Sequence, residues 1–100
     1  MTKRAIYVEL KARSGKEEEV AAFLKSAKSL VEQEPGTVAW FAIRYDQSTF
    51  AIFDAFDDEA GRQAHLNGKV AAALMARAEE LLAEAPQLRT PEVLADKLPG

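Results

Sequence analysis

The stretch TFAIFDAFDDEAGRQAHLNG, residues 49–68, carries most of the information about the fold of this chain. Its first half is an apolar run typical of a strand, and Asp57 and Asp58 then supply the N-cap and first turn of a helix. The helix is predicted to end near Asn67 and Gly68. It carries the only histidine of the chain, His65. The stretch therefore predicts a strand that runs directly into a short helix.

The residues before this stretch add a second strand. Residues 37–45 and 49–56 are both predicted strands, joined by a short hairpin segment. Both faces of these strands are apolar, whereas an antiparallel sheet with one face in water alternates hydrophobic with polar side chains. The helices of one subunit can cover only one face, so we expect a second subunit to cover the other. The sequence predicts an obligate homodimer.

The remaining segments complete the order of elements. Residues 5–13 alternate with period two, as a strand does, and Ser14 and Glu17 fit a capping box for a helix that Glu34-Pro35-Gly36 ends. An Ala-rich helix is predicted over residues 69–84, followed by a tail with at most an interrupted or edge strand. This order predicts one α+β domain over residues 1–100, a ferredoxin-like split βαβ with an antiparallel four-stranded sheet.

Composition excludes several classes of function. The net charge of -3 gives no basic field for a phosphate backbone, so nucleic acid is not an expected partner. The absence of cysteine removes thiolate nucleophiles, disulfides and Cys-based zinc sites, and a single histidine leaves no His-rich metal site within one subunit. The first residues mix charge with hydrophobe, unlike a signal peptide or a membrane span, so a cytoplasmic location is expected.

His65 and Asp54 are the candidate catalytic residues. Histidine has the unperturbed pKa closest to neutrality, which suits a general acid or base; a packing or surface role is the alternative. Asp54 could orient the imidazole or bind a substrate hydroxyl. The alternative for Asp54 is a carboxylate that caps the following helix or pairs with Arg44.

A second group of side chains could bind a flat aromatic substrate. Such a pocket needs aromatic walls and a positively charged side chain that stabilises the substrate anion. The alternatives are core or dimer contacts for the aromatic rings and a surface ion pair for the arginine. The candidates are Trp40, Arg44, Tyr45, Phe53 and Phe56.

The chain resembles the antibiotic biosynthesis monooxygenase family of dimeric α+β barrel domains. The resemblance covers nearly the whole chain and rests on the early strand, the helix after Gly15 and the turn at residues 34–36. It rests above all on the block from Asp54 to His65. Many relatives carry there an acid, a Trp two residues later, Asp-Glu-Ala and then a His; this chain has Phe56 in place of the Trp and keeps Glu59-Ala60.

The resemblance implies two ferredoxin-like subunits with their sheets face to face, the C-terminal strand reaching toward the partner, and a pocket between each sheet and its helices. Members of the family oxidise electron-rich aromatics such as hydroquinones or anthrones with dioxygen, without flavin, haem or metal. It therefore implies a cofactor-independent monooxygenase acting on a small quinol-like or polycyclic aromatic compound. The alternative is a non-catalytic dimeric module on the same fold that binds a small apolar ligand or a protein partner.

Overall fold

Four strands form one sheet, and three helices pack on one of its faces. The computed structural model of the protein describes residues 1–99, and these counts refer to that part of the chain. In chain order the elements are β1 (Arg4–Lys11), α1 (Glu17–Val31), β2 (Thr37–Arg44), β3 (Thr49–Phe56), α2 (Glu59–Leu66), α3 (Lys69–Leu81) and β4 (Gln87–Arg89). None of the helices described is long and apolar enough to span a bilayer.

The strands lie in the order β2-β3-β1-β4, and every neighbouring pair is antiparallel. The longest pairing joins β1 to β3, from Arg4 opposite Phe56 to Lys11 opposite Thr49. The two halves of the split βαβ unit, β1 and β2, flank β3, as the ferredoxin-like topology requires. The predicted α+β fold with a four-stranded antiparallel sheet is confirmed.

One face of the sheet forms the core with the helices. Alternate residues of β1 and β3 point to this face, which is the period-two pattern of a strand. Burying each large apolar side chain there contributes about 1.5–3 kcal/mol. The buried cluster includes Ile6, Val8, Leu10, Phe50, Ile52 and Phe56 from the sheet and Val20, Phe23, Leu24 and Leu81 from the helices.

The sequence predicts the start of helix α2 correctly but not the start of helix α1. Asp58 caps α2 as expected, since its Oδ1 accepts a hydrogen bond from the Gly61 N–H at 2.8 Å. The predicted capping box of α1 is wrong: the N-cap is Lys16, with no side-chain capping bond. Gly15 turns the chain with φ +87° after β1, so the helix starts later than the box requires. Only the Glu17 carboxylate bonds back, to the Gly15 N–H at 2.9 Å.

The C-terminal part follows β1 closely. The α3 helix ends at Leu81, before the predicted end near residue 84, because the next residues already bond to β1: the Ala83 N–H donates to the Lys11 carbonyl at 2.8 Å. The edge strand β4 has 3 residues, in agreement with the interrupted strand predicted for this tail. Beyond it, the Val93 N–H donates to the Lys3 carbonyl, and the Asp96 carboxylate accepts from Thr2.

The opposite face of the sheet has no covering layer among residues 1–99. Phe41, Ile43 and Tyr45 are 54%, 41% and 59% exposed there. The Tyr7 and Tyr45 hydroxyls are 2.7 Å apart, and this hydrogen bond is the main cause that raises the pKa of Tyr7 to about 12. We call this surface the open face. It is the apolar second face that the strand pattern predicts.

Candidate functional site

Asp54 lies in the middle of β3, on the face that the helices cover. Strand alternation places its side chain between those of Ile52 and Phe56, and it stands opposite Ile6 of β1 and Trp40 of β2. The carboxyl group is fully buried, and among the described residues neither oxygen has a hydrogen-bond partner. A buried polar group without a hydrogen bond costs free energy, and a catalytic or ligand-binding role is one reason for its presence. Asp54 is therefore a buried carboxylate without hydrogen bonds in an otherwise apolar part of the core.

His65 lies in the last turn of α2 and is buried beside Asp54. Its Nε2 is 2.8 Å from Asp54 Oδ2, which is ion-pair distance without the alignment of a hydrogen bond. Its Nδ1 is 2.6 Å from Glu34 Oε1. The ring of Phe56 packs on the imidazole, with centroids 5.5 Å apart and planes tilted by 45°. The imidazole is held between two carboxylates and one aromatic ring.

Glu34 is a site residue that the sequence did not reveal as one. It belongs to the turn between α1 and β2, where we expected only a helix end. The approach of this turn to α2 depends on two glycines, because a Cβ atom at Gly61 would lie 2.9 Å from the Gly36 carbonyl oxygen. The only sequence signal was a carboxylate next to a Pro-Gly turn, and its contact with His65 depends on tertiary packing.

Burial and charge act in opposite directions on the two central groups. Burial lowers the proton affinity of His65, but the Asp54 and Glu34 carboxylates outweigh it and raise the pKa of His65 to about 9. Burial raises the pKa of Asp54, and the neighbouring imidazole only partly offsets this. At neutral pH His65 is an imidazolium, and Asp54 accepts a proton more readily than an exposed aspartate does. A charged imidazole can donate a proton but not accept one, whereas an ionised Asp54 can accept one.

Two cavities meet at His65. The first, of about 300 Å³, lies between the sheet and helices α2 and α3, and Asp54 and His65 are its titratable side chains. Its walls are mainly apolar and include Ile6, Val8, Ile52, Leu66, Val70, Leu74, Pro86 and Leu88. The second, a cleft of about 310 Å³, is lined by Glu34, Gly36, His65 and Lys69. We call the first the apolar cavity and the second the outer cleft.

The residues predicted to contact substrate lie elsewhere. Phe56 is buried against His65, Phe53 lies on the open face of β3, and Tyr45 follows the end of β2 and contacts Tyr7 on that same face. Trp40 and Arg44 line a separate groove of about 410 Å³ between α1 and β2. None of these five side chains lines the apolar cavity.

The two alternatives for Asp54 are wrong. Arg44 donates instead to Glu18 at 2.9 Å and lies 4.8 Å above the Phe50 ring centroid. The cap of α2 is Asp58. The indole Nε1 of Trp40 is buried without a partner among residues 1–99, although Trp40 neighbours Asp54 across the strands. In the part of the chain described, no group of three or more His, Asp or Glu side chains could hold a metal ion.

Comparison with solved structures identifies a relative of nearly equal length. The crystal structure of NE2512, a protein of unknown function from Nitrosomonas europaea, is 56% identical, covers 100% of this chain and 97% of its own, and superposes with a TM-score of 0.98. The chain belongs to the NE2512 family. No family model matches the sequence, and no curated protein does.

More distant structures share the fold of the NE2512 family. One, named "Putative antibiotic biosynthesis monooxygenase", also from Nitrosomonas europaea, is 15% identical with a TM-score of 0.83, over 92% of this chain and 99% of that one. PA3566 from Pseudomonas aeruginosa is 20% identical with a TM-score of 0.80, over 95% and 97% of the two chains. At this identity the likeness shows the fold alone, which agrees with the fold that the resemblance implied.

Proposed function

We propose that this protein is a cofactor-independent monooxygenase that oxidises a small quinol-like or polycyclic aromatic compound with dioxygen. One observation carries the proposal: the buried Asp54 carboxylate, with no hydrogen-bond donor of its own, borders an apolar cavity and lies beside the charged His65. A ligand that suits this site needs an apolar ring system and a hydroxyl donor for the carboxylate. A phenolic or quinol-like compound meets both needs.

The site residues have separate roles in this reaction. Asp54 accepts the proton of the substrate hydroxyl, and the His65 imidazolium stabilises the resulting anion. The electron-rich anion then supplies the electrons that reduce dioxygen. For an anthrone-type substrate, a ring CH₂ becomes C=O with one oxygen atom, and the other oxygen leaves as water with the two hydrogens. All four electrons come from the substrate, so the balance needs no other reductant.

Oxygen uptake tests the proposal. Purified protein is assayed against hydroquinones, dihydroxynaphthalenes and anthrones, with autoxidation subtracted and His65→Ala run in parallel. We expect uptake above autoxidation that falls at least about tenfold in the variant, because the anion loses its counter-charge. Asp57→Asn, an exposed carboxylate just outside the site, is the matched control and should leave uptake unchanged. Uptake no faster than autoxidation for every compound would refute the proposal for these substrates.

The aliphatic walls support a second candidate, a dimeric module that binds a small apolar ligand without chemistry. None of the predicted aromatic side chains lines the apolar cavity, so the site lacks the stacking surfaces that a flat substrate would favour. This candidate predicts that the same compounds raise the melting temperature while oxygen uptake stays at background. Ligand titration by calorimetry under argon separates binding from turnover.

We also propose that the protein is a homodimer, joined through the open face and the C-terminal strand. Exposed Phe41, Ile43 and Tyr45 support this, because contiguous apolar surface rarely stays in water. The tail after β4 adds Leu94, which is 84% exposed. A second copy of the chain would cover both surfaces with the same residues on each side.

A further inference from the structure

We infer that Glu34 is a positioning residue of this site: it fixes the His65 ring and stabilises the charged form of the imidazole that lies beside Asp54 at the apolar cavity. The inference rests on the proposed function in one respect, since it treats Asp54 as the base. Glu34 itself does not line the apolar cavity. It acts on the reaction through His65.

The Glu34 carboxylate is held in place by neighbouring side chains. Its Oε1 contacts His65 Nδ1 at 2.6 Å and accepts a hydrogen bond from Thr37 Oγ1 at 2.8 Å. Its Oε2 lies against Gly68, where a Cβ atom would come within 3.0 Å of it. Only 18% of the Glu34 side chain is exposed. Two polar partners on Oε1, low exposure and a small residue beside Oε2 distinguish this pair from an exposed surface ion pair.

His65 lies between two carboxylates, which contact the two different nitrogens of its ring. The contact with Glu34 uses Nδ1, so Nε2 is the nitrogen that faces Asp54. An imidazole fixed in this way presents one defined nitrogen to the reacting group, as in other sites where a carboxylate orients a histidine. Rotation of the ring would break both contacts.

Charged side chains approach His65 from several of the elements packed around it. Asp54 comes from β3 and Glu34 from the turn before β2, while Lys69 of α3 borders the outer cleft. The residues that β1 contributes to the cavity, Ile6 and Val8, are apolar. If Glu34 loses its charge, the imidazolium loses one of two stabilising anions. His65 then loses its proton at a lower pH, and above that pH the substrate anion beside Asp54 lacks its counter-charge. The direct effect of Glu34 on Asp54 is a repulsion that raises the pKa of Asp54, so the benefit of Glu34 acts through His65.

The experiment uses His65 as its own reporter. Because the chain has one histidine, the imidazole ¹⁵N signals of uniformly labelled protein belong to His65 without ambiguity. We compare wild type with Glu34→Gln and Glu34→Asp. The matched control is Glu32→Gln, which removes an exposed carboxylate paired with Lys28 at 3.6 Å. We expect the His65 titration midpoint to fall by at least about one pH unit in Glu34→Gln, to fall less in Glu34→Asp and to stay unchanged in the control.

Turnover of a dihydroxynaphthalene supplies the second readout. In Glu34→Gln we expect kcat to fall about tenfold with KM within about twofold, and the alkaline limb of the kcat profile to move to lower pH. Glu34→Asp should recover part of the rate. A role limited to stability would lower the melting temperature but leave the limb in place.

Two outcomes separate this inference from the proposed function. A His65 midpoint in Glu34→Gln within about 0.3 pH units of wild type overturns the positioning role, whatever the activity. A wild type that consumes no oxygen, with the midpoint shifted in the variant, refutes the oxygenase and supports the action of Glu34 on His65.

Discussion

The two faces of the sheet are both apolar, yet they differ in what they bury. The helix-covered face surrounds Asp54 and His65 with core residues, whereas the open face exposes Phe41, Ile43 and Tyr45. Asp54 and Phe53 are adjacent in sequence and point to opposite faces because strand side chains alternate. A shift of one residue in register would exchange the two environments. One strand, β3, therefore supplies both the candidate catalytic carboxylate and part of the proposed assembly surface.

The largest expected effect comes from the Asp54→Asn variant. Removing the base should lower oxygen uptake by a factor on the order of 10²–10⁴. The variant should keep its fold, because asparagine has nearly the same volume as aspartate and removes a buried charge that has no hydrogen-bond partner. Oxygen uptake and the melting temperature are measured side by side. Retained uptake would remove Asp54 from the reaction.

On the open face, the Phe41→Glu variant should break the dimer. A charge placed within a buried apolar contact costs several kcal/mol, so a micromolar sample should sediment as a monomer while the wild type sediments as a dimer. Ser29→Glu, on the exposed side of α1, is the control and should not change the mass. A monomeric wild type at micromolar concentration would contradict the proposed homodimer.

The free energy of unfolding should depend on pH mainly through His65, which lies on the helix-covered face. The pKa of His65 is about 9 in the folded protein, above its ordinary value of 6.5, so folding favours the protonated form. Its stabilising contribution is complete below pH 6.5 and is lost as the pH rises to about 9, by roughly 3 kcal/mol. Urea denaturation at fixed protein concentration between pH 6 and 9 measures the fall.

The His65→Gln variant is the control for this pH dependence, and its stability should be flat over the same range. Burial also raises the pKa of Asp54, which acts in the same direction but at lower pH. Tyr7 on the open face, with a pKa of about 12, does not titrate there. An equal fall of stability in His65→Gln would assign the effect to another group.

A smaller effect is expected from the Gly61→Ala variant. The added methyl group would lie 2.9 Å from the Gly36 carbonyl oxygen, so α2 must move away from the turn, at a cost of about 1–3 kcal/mol. That movement should lengthen the Glu34 to His65 contact, which the His65 titration would report. Ala60→Ser, an exposed neighbour, serves as the control. Unchanged stability would show that the contact tolerates a Cβ atom.

The fold followed from local patterns, since alternation, caps and turn residues are properties of short stretches. The order of elements and the start of α2 at Asp58 could be predicted for this reason. The start of α1 could not, because the positive φ of Gly15 shifts it. The exact length of β4 could not be predicted from local patterns either, because its pairing partner β1 lies far away in the sequence.

The candidate site was harder to predict from the sequence than the fold. Asp54 and His65 are close along the chain, and a strand followed by a returning helix brings such residues together. Glu34 is separated from His65 by 31 positions, and only the sheet order and the contact of Gly36 with Gly61 make them neighbours. The sequence also could not show that the cavity walls are aliphatic, because the aromatic residues of β2 and β3 divide between the two faces.

Trp40 gives the difference between the faces an optical signature. It is the only tryptophan, it packs against the buried clusters on the helix side, and its indole Nε1 is shielded from water. Intrinsic fluorescence therefore reports on the helix-covered layer. Its emission should be blue-shifted in the native protein and should shift to the red as that layer opens. Formation of the proposed dimer at the open face should leave the spectrum nearly unchanged, so this measurement can follow the core separately from assembly.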